Sequence, residues 1–323
     1  MLAIVAPGQG AQTPGFLTPW LSDQSVADRL ELFSSVTELD LRRYGTEADA
    51  DTIRDTAVAQ PLLVAAGLLA ARQLLEAAAE ADGFGVDGIG VVAGHSVGEI
   101  TAAALVGVLT DDESMVFVRE RGRAMAAAAA ITPTSMTAVI GGKPDEVLAA
   151  IAAQGLTPAN NNGSGQIVAA GTVEQLEGLA ENPPTRARLI PLSVAGAFHT
   201  VHMAPAADRL ATLADSLSTH DPSTRLLSNA DGAVVTDGAE VLRRLVRQVA
   251  SPVRWDLCLQ AMADLGVTGL LELSPAGTLT GIAKRNLKGV ELFALNTPDQ
   301  LPEALDFVRR HVGASTGEPE AGR

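Results

Sequence analysis

Short apolar runs alternate along most of this chain with longer stretches in which apolar residues recur every three or four positions. Residues 2–6 and 89–93 are short apolar runs of the length of a buried strand, and residues 268–273 predict a last core strand. Residues 57–80 carry the spacing of a long, largely buried helix, closed by Asp82-Gly83-Phe84-Gly85. The alanine-rich residues 101–108 predict another helix. Thr110-Asp111-Asp112-Glu113 predicts a third, with acidic side chains in its first turn. Further helices are expected over 201–218, 241–250, 256–265 and from Ser274-Pro275-Ala276-Gly277 to residue 286. Strands separated by helices predict the α/β class, with a mostly parallel, hydrolase-like sheet.

One region breaks that rhythm. After the alanine run 126–130, Ile131-Thr132-Pro133-Thr134 ends a helix. Strand 136–140, helix 144–154, strands 156–160 and 166–170, helix 173–180 and strand 188–192 then follow, with Asn160-Asn161-Asn162-Gly163 as a turn signal. This βαββαβ order predicts a small ferredoxin-like insert over 131–194. The larger domain is then discontinuous, 1–130 and 195–312. Residues 313–323 are Gly, Glu, Pro and Ser without apolar period, so disorder is expected there.

The chemistry concentrates where the run 89–93 meets the helix 101–108. Between them stands Gly94-His95-Ser96-Val97-Gly98-Glu99, a GxSxG pattern in the strand-then-helix context of a nucleophile elbow. Such a turn strains the serine backbone, lifts its hydroxyl into a cleft, and sets it at a helix N-terminus whose free N–H groups can stabilise an oxyanion. Pro7-Gly8-Gln9-Gly10-Ala11-Gln12 leaves the first strand at the edge where open α/β sheets place their sites. On the helix opened by Thr110, Phe117, Arg121 and Met125 share one row, with Arg119 and Arg123 roughly on the other side. An arginine in an apolar row needs an anionic partner. Arg121 is either a carboxylate clamp or half of a buried ion pair with an internal acid. His199, in a loop before a helix, is placed to aim its ring into a cleft; His95, His202, His220 and His311 read as structural.

Composition narrows the function classes. The 323 residues are 47% hydrophobic but only 3% aromatic, so the core is Ala, Val and Leu. A net charge of −15 argues against nucleic acid as a partner. A lone Cys258 excludes an intrachain disulfide framework. No apolar run reaches the roughly 18 residues of a spanning helix; residues 62–75 come nearest and are interrupted by Arg72 and Gln73. The start of the chain shows no basic n-region. A cytoplasmic monomer with no membrane contact, no metal and no bound cofactor is the expectation.

Five motifs together carry a resemblance: Pro7-Gly8-Gln9-Gly10-Ala11-Gln12, Gly94-His95-Ser96-Val97-Gly98-Glu99, Arg121-Gly122, Gly196-Ala197-Phe198-His199 and Ser251-Pro252-Val253-Arg254-Trp255. Their order and spacing resemble the malonyl-CoA:acyl carrier protein transacylases over nearly the whole chain. The resemblance implies ping-pong transfer of malonyl from coenzyme A to a carrier-protein thiol through a malonyl-Ser96 ester. It implies His199 as general base and the backbone amides of Gln9 and Val97 as oxyanion donors. It implies Arg121 as the partner of the malonyl carboxylate, with Phe198 and Met125 in the acyl pocket. A backbone carbonyl, assigned to Arg254, would orient the imidazole in place of a third acid. Lys284, Arg285 and Lys288 form the tightest basic cluster after the last core strand and suggest a docking patch for an acidic carrier protein. Fatty acid and polyketide synthesis fit equally.

Three rivals stand beside this reading. An α/β-hydrolase should show an acid and then a histidine near the C-terminus, whereas about 120 residues follow His199. A patatin-like hydrolase would use Asp231-Gly232-Ala233, leaving His199 and Arg121 without a role. A non-catalytic carrier-protein-binding module would keep the elbow only as architecture.

Overall fold

The computed structural model describes residues 1–312, so the expected disordered tail lies outside the described residues. Among these residues, eleven strands form two sheets. β1 (Leu2–Ala6) and β2 (Val91–Gly94) are the middle of the first. Strand β1 alternates: Leu2, Ile4 and Ala6 join one apolar cluster, while Ala3 and Val5 join another on the opposite face. A strand buried on both faces reads as an unbroken apolar run, which is why this one is legible.

The second sheet contains β3 (Thr134–Gly141), β4 (Thr157–Asn161), β5 (Gln166–Thr172) and β6 (Ala187–Pro191). The first is completed by β7 (Leu226–Leu227), β8 (Val234–Val235), β10 (Gly269–Glu272) and β11 (Glu291–Ala294), with β9 (Val253–Arg254) assigned to the second. The first sheet runs β11-β10-β1-β2-β7-β8, parallel except for the β7–β8 pair. The second runs β6-β3-β5-β4-β9. Its first four strands pair antiparallel over a separate core of Val139, Val147, Ile151, Leu156, Ile167, Ala169 and Leu179. They follow the expected βαββαβ order within a few residues. The fifth strand differs from expectation: β9 comes from beyond the insert and pairs parallel with β4, Asn161 opposite Arg254. That pairing ties the second sheet to a segment of chain far from its other four strands.

Helix Thr56–Asp82 has 27 residues, is capped by the Asp55 side chain, and stops at Gly83 with φ 65°. By length and composition it is apolar enough to cross a membrane (mean hydropathy 1.5), unlike the sequence expectation, yet 67% of that window is packed inside the protein. It is apolar on most faces because helices Asp111–Ala129 and Gly98–Leu105 pack against it. Strand β10 ends on Glu272, whose fully buried carboxylate accepts the N–H groups of Gly277, Leu279 and Thr280 at 2.8–2.9 Å. It thereby caps helix Thr278–Asn286.

Candidate active site

The register of β1 on β2 sets Ala6 opposite Gly94, so the loop after β1 and the turn after β2 emerge together. Ser96 stands in that turn at φ 53°, and helix Gly98–Leu105 begins two residues on. Only glycine fits on either side. A Cβ on Gly94 would come within 2.0 Å of the Gly98 carbonyl, and one on Gly98 within 2.3 Å of Ala6 O. The elbow is therefore a strained turn locked by close backbone crossings.

Ser96 Oγ lies 2.7 Å from His199 Nε2. His199 itself has φ 61°. Its backbone N–H donates to Val249 O at 3.0 Å, and its Nδ1–H donates to Gln248 O at 2.8 Å. A carbonyl can only accept, so Nδ1 carries the proton and Nε2 is free to accept the serine proton. The assignment of this carbonyl to Arg254 is thus corrected. Helix Gly238–Gln248 ends beside the His199 loop, and its last carbonyls lack intrahelical donors, so they take the imidazole. Arg254 is engaged elsewhere, through its guanidinium to Asp256 at 2.8 Å and its N–H to Asn229 O at 2.7 Å. Burial, and then the positive charge of Arg121, push the His199 pKa down to about 3, keeping the ring neutral.

Arg121 is 1% exposed and reaches Ser96 Oγ with Nη2 at 3.4 Å. Its other partners are amides: Nη1 donates to Gln60 Oε1 at 2.6 Å and Nη2 to Gln248 Oε1 at 2.8 Å. Among the described residues no carboxylate lies within ion-pair distance of it, in contrast to Arg119 and Arg123, which pair with Glu38 and Glu120. The buried-ion-pair alternative is not what the fold builds. Gln248 is the hub of the site, because its Nε2 also donates to Ser96 O at 3.0 Å and to Glu99. Glu99 accepts from Asn229 N as well; burial pushes its pKa up to about 8. Asn229 Oδ1 accepts the Ser96 N–H at 2.8 Å, and its Nδ2 donates to Gly94 O at 2.8 Å. Gln60, Gln248, Asn229 and Glu99 were not singled out from sequence. Amide side chains carry no motif of their own, and Glu99 was visible only as part of the elbow pattern.

The dyad opens into a cleft of about 240 Å³. Gln9 and Val97 line it, and among the described residues neither backbone N–H has an intramolecular acceptor. Met125 and Phe198 line it too, so the predicted acyl-pocket residues converge. Met136, Ala138, Asn160 and Asn162, from the second sheet and the turn after β4, line it as well. His95 also faces the cleft, with Nε2 2.9 Å from Asn162 Oδ1 and its ring edge-on to Trp255 at 5.6 Å. It ties the elbow to the insert and lies outside the dyad. Lys284, Arg285 and Lys288 are exposed at the end of helix Thr278–Asn286, whose Thr278, Leu279 and Ile282 line the cleft. Among the described residues none of the three pairs with an acid; Arg285 donates to Gln166 Oε1. Asp231, the residue a patatin-like reading needs, is held by Arg244 at 2.7 Å. No cluster of three or more His, Cys, Asp or Glu suited to a metal occurs among the described residues.

The profile of the acyl transferase domain family matches residues 4–301. A malonyl CoA-acyl carrier protein transacylase of Mycobacterium tuberculosis is 50% identical over 303 residues, covering 94% of this chain and 99% of the relative. The Escherichia coli protein of the same name is 32% identical over 314 residues, covering 94% and 99%. The crystal structure of MCAT from Mycobacterium tuberculosis superposes with a TM-score of 0.90 at 49% identity, covering 94% and 99%. A solved complex of a type II polyketide acyl-carrier protein with its malonyl-transacylase matches at a TM-score of 0.85 and 30% identity, covering 94% of this chain and 99% of that one. With that agreement over nearly its whole described length, the chain belongs to the acyl transferase family, among the malonyl CoA-acyl carrier protein transacylases.

Proposed function

We propose that this enzyme moves a malonyl group from coenzyme A to the phosphopantetheine thiol of an acyl carrier protein. The observation that carries this reading is a Ser–His dyad beside a buried guanidinium whose close partners are neutral, two amides and the Ser96 hydroxyl. Ser96 Oγ attacks the thioester carbonyl while its proton passes to His199 Nε2. The amides of Gln9 and Val97 meet the oxyanion; one such donor is typically worth about 3–4 kcal/mol. The tetrahedral adduct collapses, breaking the C–S bond, and the coenzyme A sulfur leaves with the proton from His199. In the second half, the carrier thiol gives its proton to His199 and attacks the Ser96 ester. Ser96 Oγ leaves and takes that proton back. The Gln248 carbonyl keeps the imidazole in one tautomer throughout, with less stabilisation of an imidazolium than a carboxylate would give.

Arg121 pairs with the free malonyl carboxylate, so the site favours malonyl over acetyl by charge. Phe198 and Met125 bound the acyl pocket and favour malonyl over a methylated homologue; one methyl is worth only about 1–3 kcal/mol, so this is preference rather than exclusion. We read the insert, 131–194, as a ferredoxin-like domain, its strand order and antiparallel pairing supporting that, and the larger hydrolase-like domain as 1–130 with 195–312. Lys284, Arg285 and Lys288 are the proposed docking patch for the carrier protein. The solved carrier-protein complex of a relative supports that class of partner, in fatty acid or polyketide synthesis. The enzyme is proposed to act as a cytoplasmic monomer with coenzyme A thioester as substrate and no resident cofactor. Radiolabelled malonyl-CoA should leave an alkali-labile ester on the wild-type protein and none on Ser96→Ala. Label retained by the variant, or found on another residue, overturns the reading.

A further inference from the structure

The Arg121 guanidinium is buried, yet the oxygens that hold it belong to two carboxamides, Gln60 Oε1 at 2.6 Å and Gln248 Oε1 at 2.8 Å. Burying a guanidinium without a counter-charge is unfavourable, and the usual remedy is an internal carboxylate. A glutamate differs from glutamine by one heavy atom and would fit either place, so amides at both positions put no negative charge in contact with the guanidinium. Gln60 is 1% exposed and its far end is fixed, with Nε2 3.4 Å from Met125 Sδ, so its Oε1 is turned toward Arg121. It also lines the cleft beside Met125 and Ser96. The nearest acid in the network, Glu99, touches Arg121 only through Gln248; it acts on the guanidinium at longer range, but burial raises its own pKa to about 8, so near neutral pH it is mostly protonated. Its carboxyl is engaged by Asn229 N–H and Gln248 Nε2.

We propose that Gln60 is a specificity-determining residue: it orients Arg121 through a neutral oxygen, so that the substrate carboxylate supplies the first full negative charge the guanidinium meets. The role follows from charge rather than shape, and it rests on the malonyl-transfer reading above. A glutamate at position 60 would occupy the same volume and hold the same nitrogen. It would also neutralise the clamp before substrate arrives, converting a site for acyl groups with a free carboxylate into one for uncharged acyl groups. Gln248 contributes a second neutral oxygen, but its side-chain amide also holds Ser96 O and Glu99, so substitution there would mix specificity with the geometry of the elbow. Gln60 separates the two.

The test compares acylation of Ser96 by malonyl-CoA and by acetyl-CoA, as kcat/KM, in wild type, Gln60→Glu and Gln60→Met. In Gln60→Glu the malonyl value should fall by about 100-fold through KM while the acetyl value is unchanged or rises. In Gln60→Met, which keeps the volume and the contact with Met125 but removes the acceptor, malonyl should fall by about tenfold and acetyl should hold. An unchanged malonyl-to-acetyl ratio in Gln60→Glu, or equal loss on both substrates, overturns the proposal. If Gln60→Glu does not fold, an unchanged ratio in Gln60→Met overturns it. Wild-type protein that forms no malonyl ester refutes the malonyl-transfer reading itself, so the two failures are distinguishable.

Discussion

Two strands of the parallel sheet end in the same way, in a turn that opens a helix, and each has a buried glutamate there. After β10, Glu272 accepts three backbone N–H groups of its own turn and helix. After β2, Glu99 lies inside the helix, and its partners are the Asn229 backbone and the Gln248 side chain. Backbone donors of one turn fix Glu272 from every side and leave it nothing to transmit. Glu99 is joined through Gln248 to the elbow carbonyl, the base and the guanidinium at once. A buried carboxylate satisfied by the main chain is architecture. One held in part by a side chain that serves other groups is part of a device whose geometry other residues can change.

The sharpest break of that comparison is a pair of truncations. Ser96→Ala removes the reacting atom at the first turn and should lower transfer by at least about 10⁴-fold, with the melting temperature nearly unchanged. Glu272→Ala at the second turn should do the reverse. Three buried N–H groups lose their acceptor, which costs about 3–5 kcal/mol of stability, while kcat per folded molecule stays close to wild type. Denaturant melts with kinetics on the same samples check both. If Glu272→Ala lost kcat without losing stability, the division between the two turns would be wrong.

The parallel strands were legible in sequence because burial on both faces leaves an unbroken apolar run, as at Leu2–Ala6. The elbow was legible because backbone crossings at Gly94 and Gly98 forbid any other residue. The orienting carbonyl was not. A main-chain acceptor has no side-chain signature, and Gln248 O became one because a helix ends beside the His199 loop. The Arg121 partners escaped for a related reason. An arginine in an apolar row signals an acid, and here two glutamines took that place. The pairing of β9 with β4 was hidden because two residues are too short a run to read as a strand.

A smaller effect joins the clamp to the base. Arg121 is the second cause, after burial, of the low His199 pKa of about 3. Protonated His199 cannot accept the serine proton, so activity falls only as pH drops through the folded-state value. With acetyl-CoA, whose acyl group carries no charge to be clamped, wild type should show no acid limb near the ordinary histidine value of 6.5. Arg121→Ala removes the positive charge beside the ring, so its acid limb should move up toward 6.5, stopping short of it because burial remains. Malonyl transfer by that variant should fall by about 100-fold. The same displaced pKa makes His199 favour the fold above its ordinary value, a contribution lost as pH falls from 6.5 toward 3. Coincident acid limbs for the two proteins would show that Arg121 does not act on the base.

The smallest expected effect lies outside the network. Lys284, Arg285 and Lys288 are exposed on the end of a helix whose buried face lines the cleft, and that helix is the one Glu272 caps. The rigid turn after β10 would then serve function only by holding the patch beside the mouth of the site. Exposed charges are screened by solvent and salt, so each is worth little; together they steer encounter more than they hold the complex. Replacing all three with glutamate should raise the carrier-protein KM by about three- to tenfold at low salt, with the effect shrinking as salt is added. Acylation of Ser96 by malonyl-CoA alone should not change, because that half-reaction does not involve the carrier protein. A carrier-protein KM that ignores the charge reversal would move the docking surface elsewhere, and would leave the second turn purely architectural.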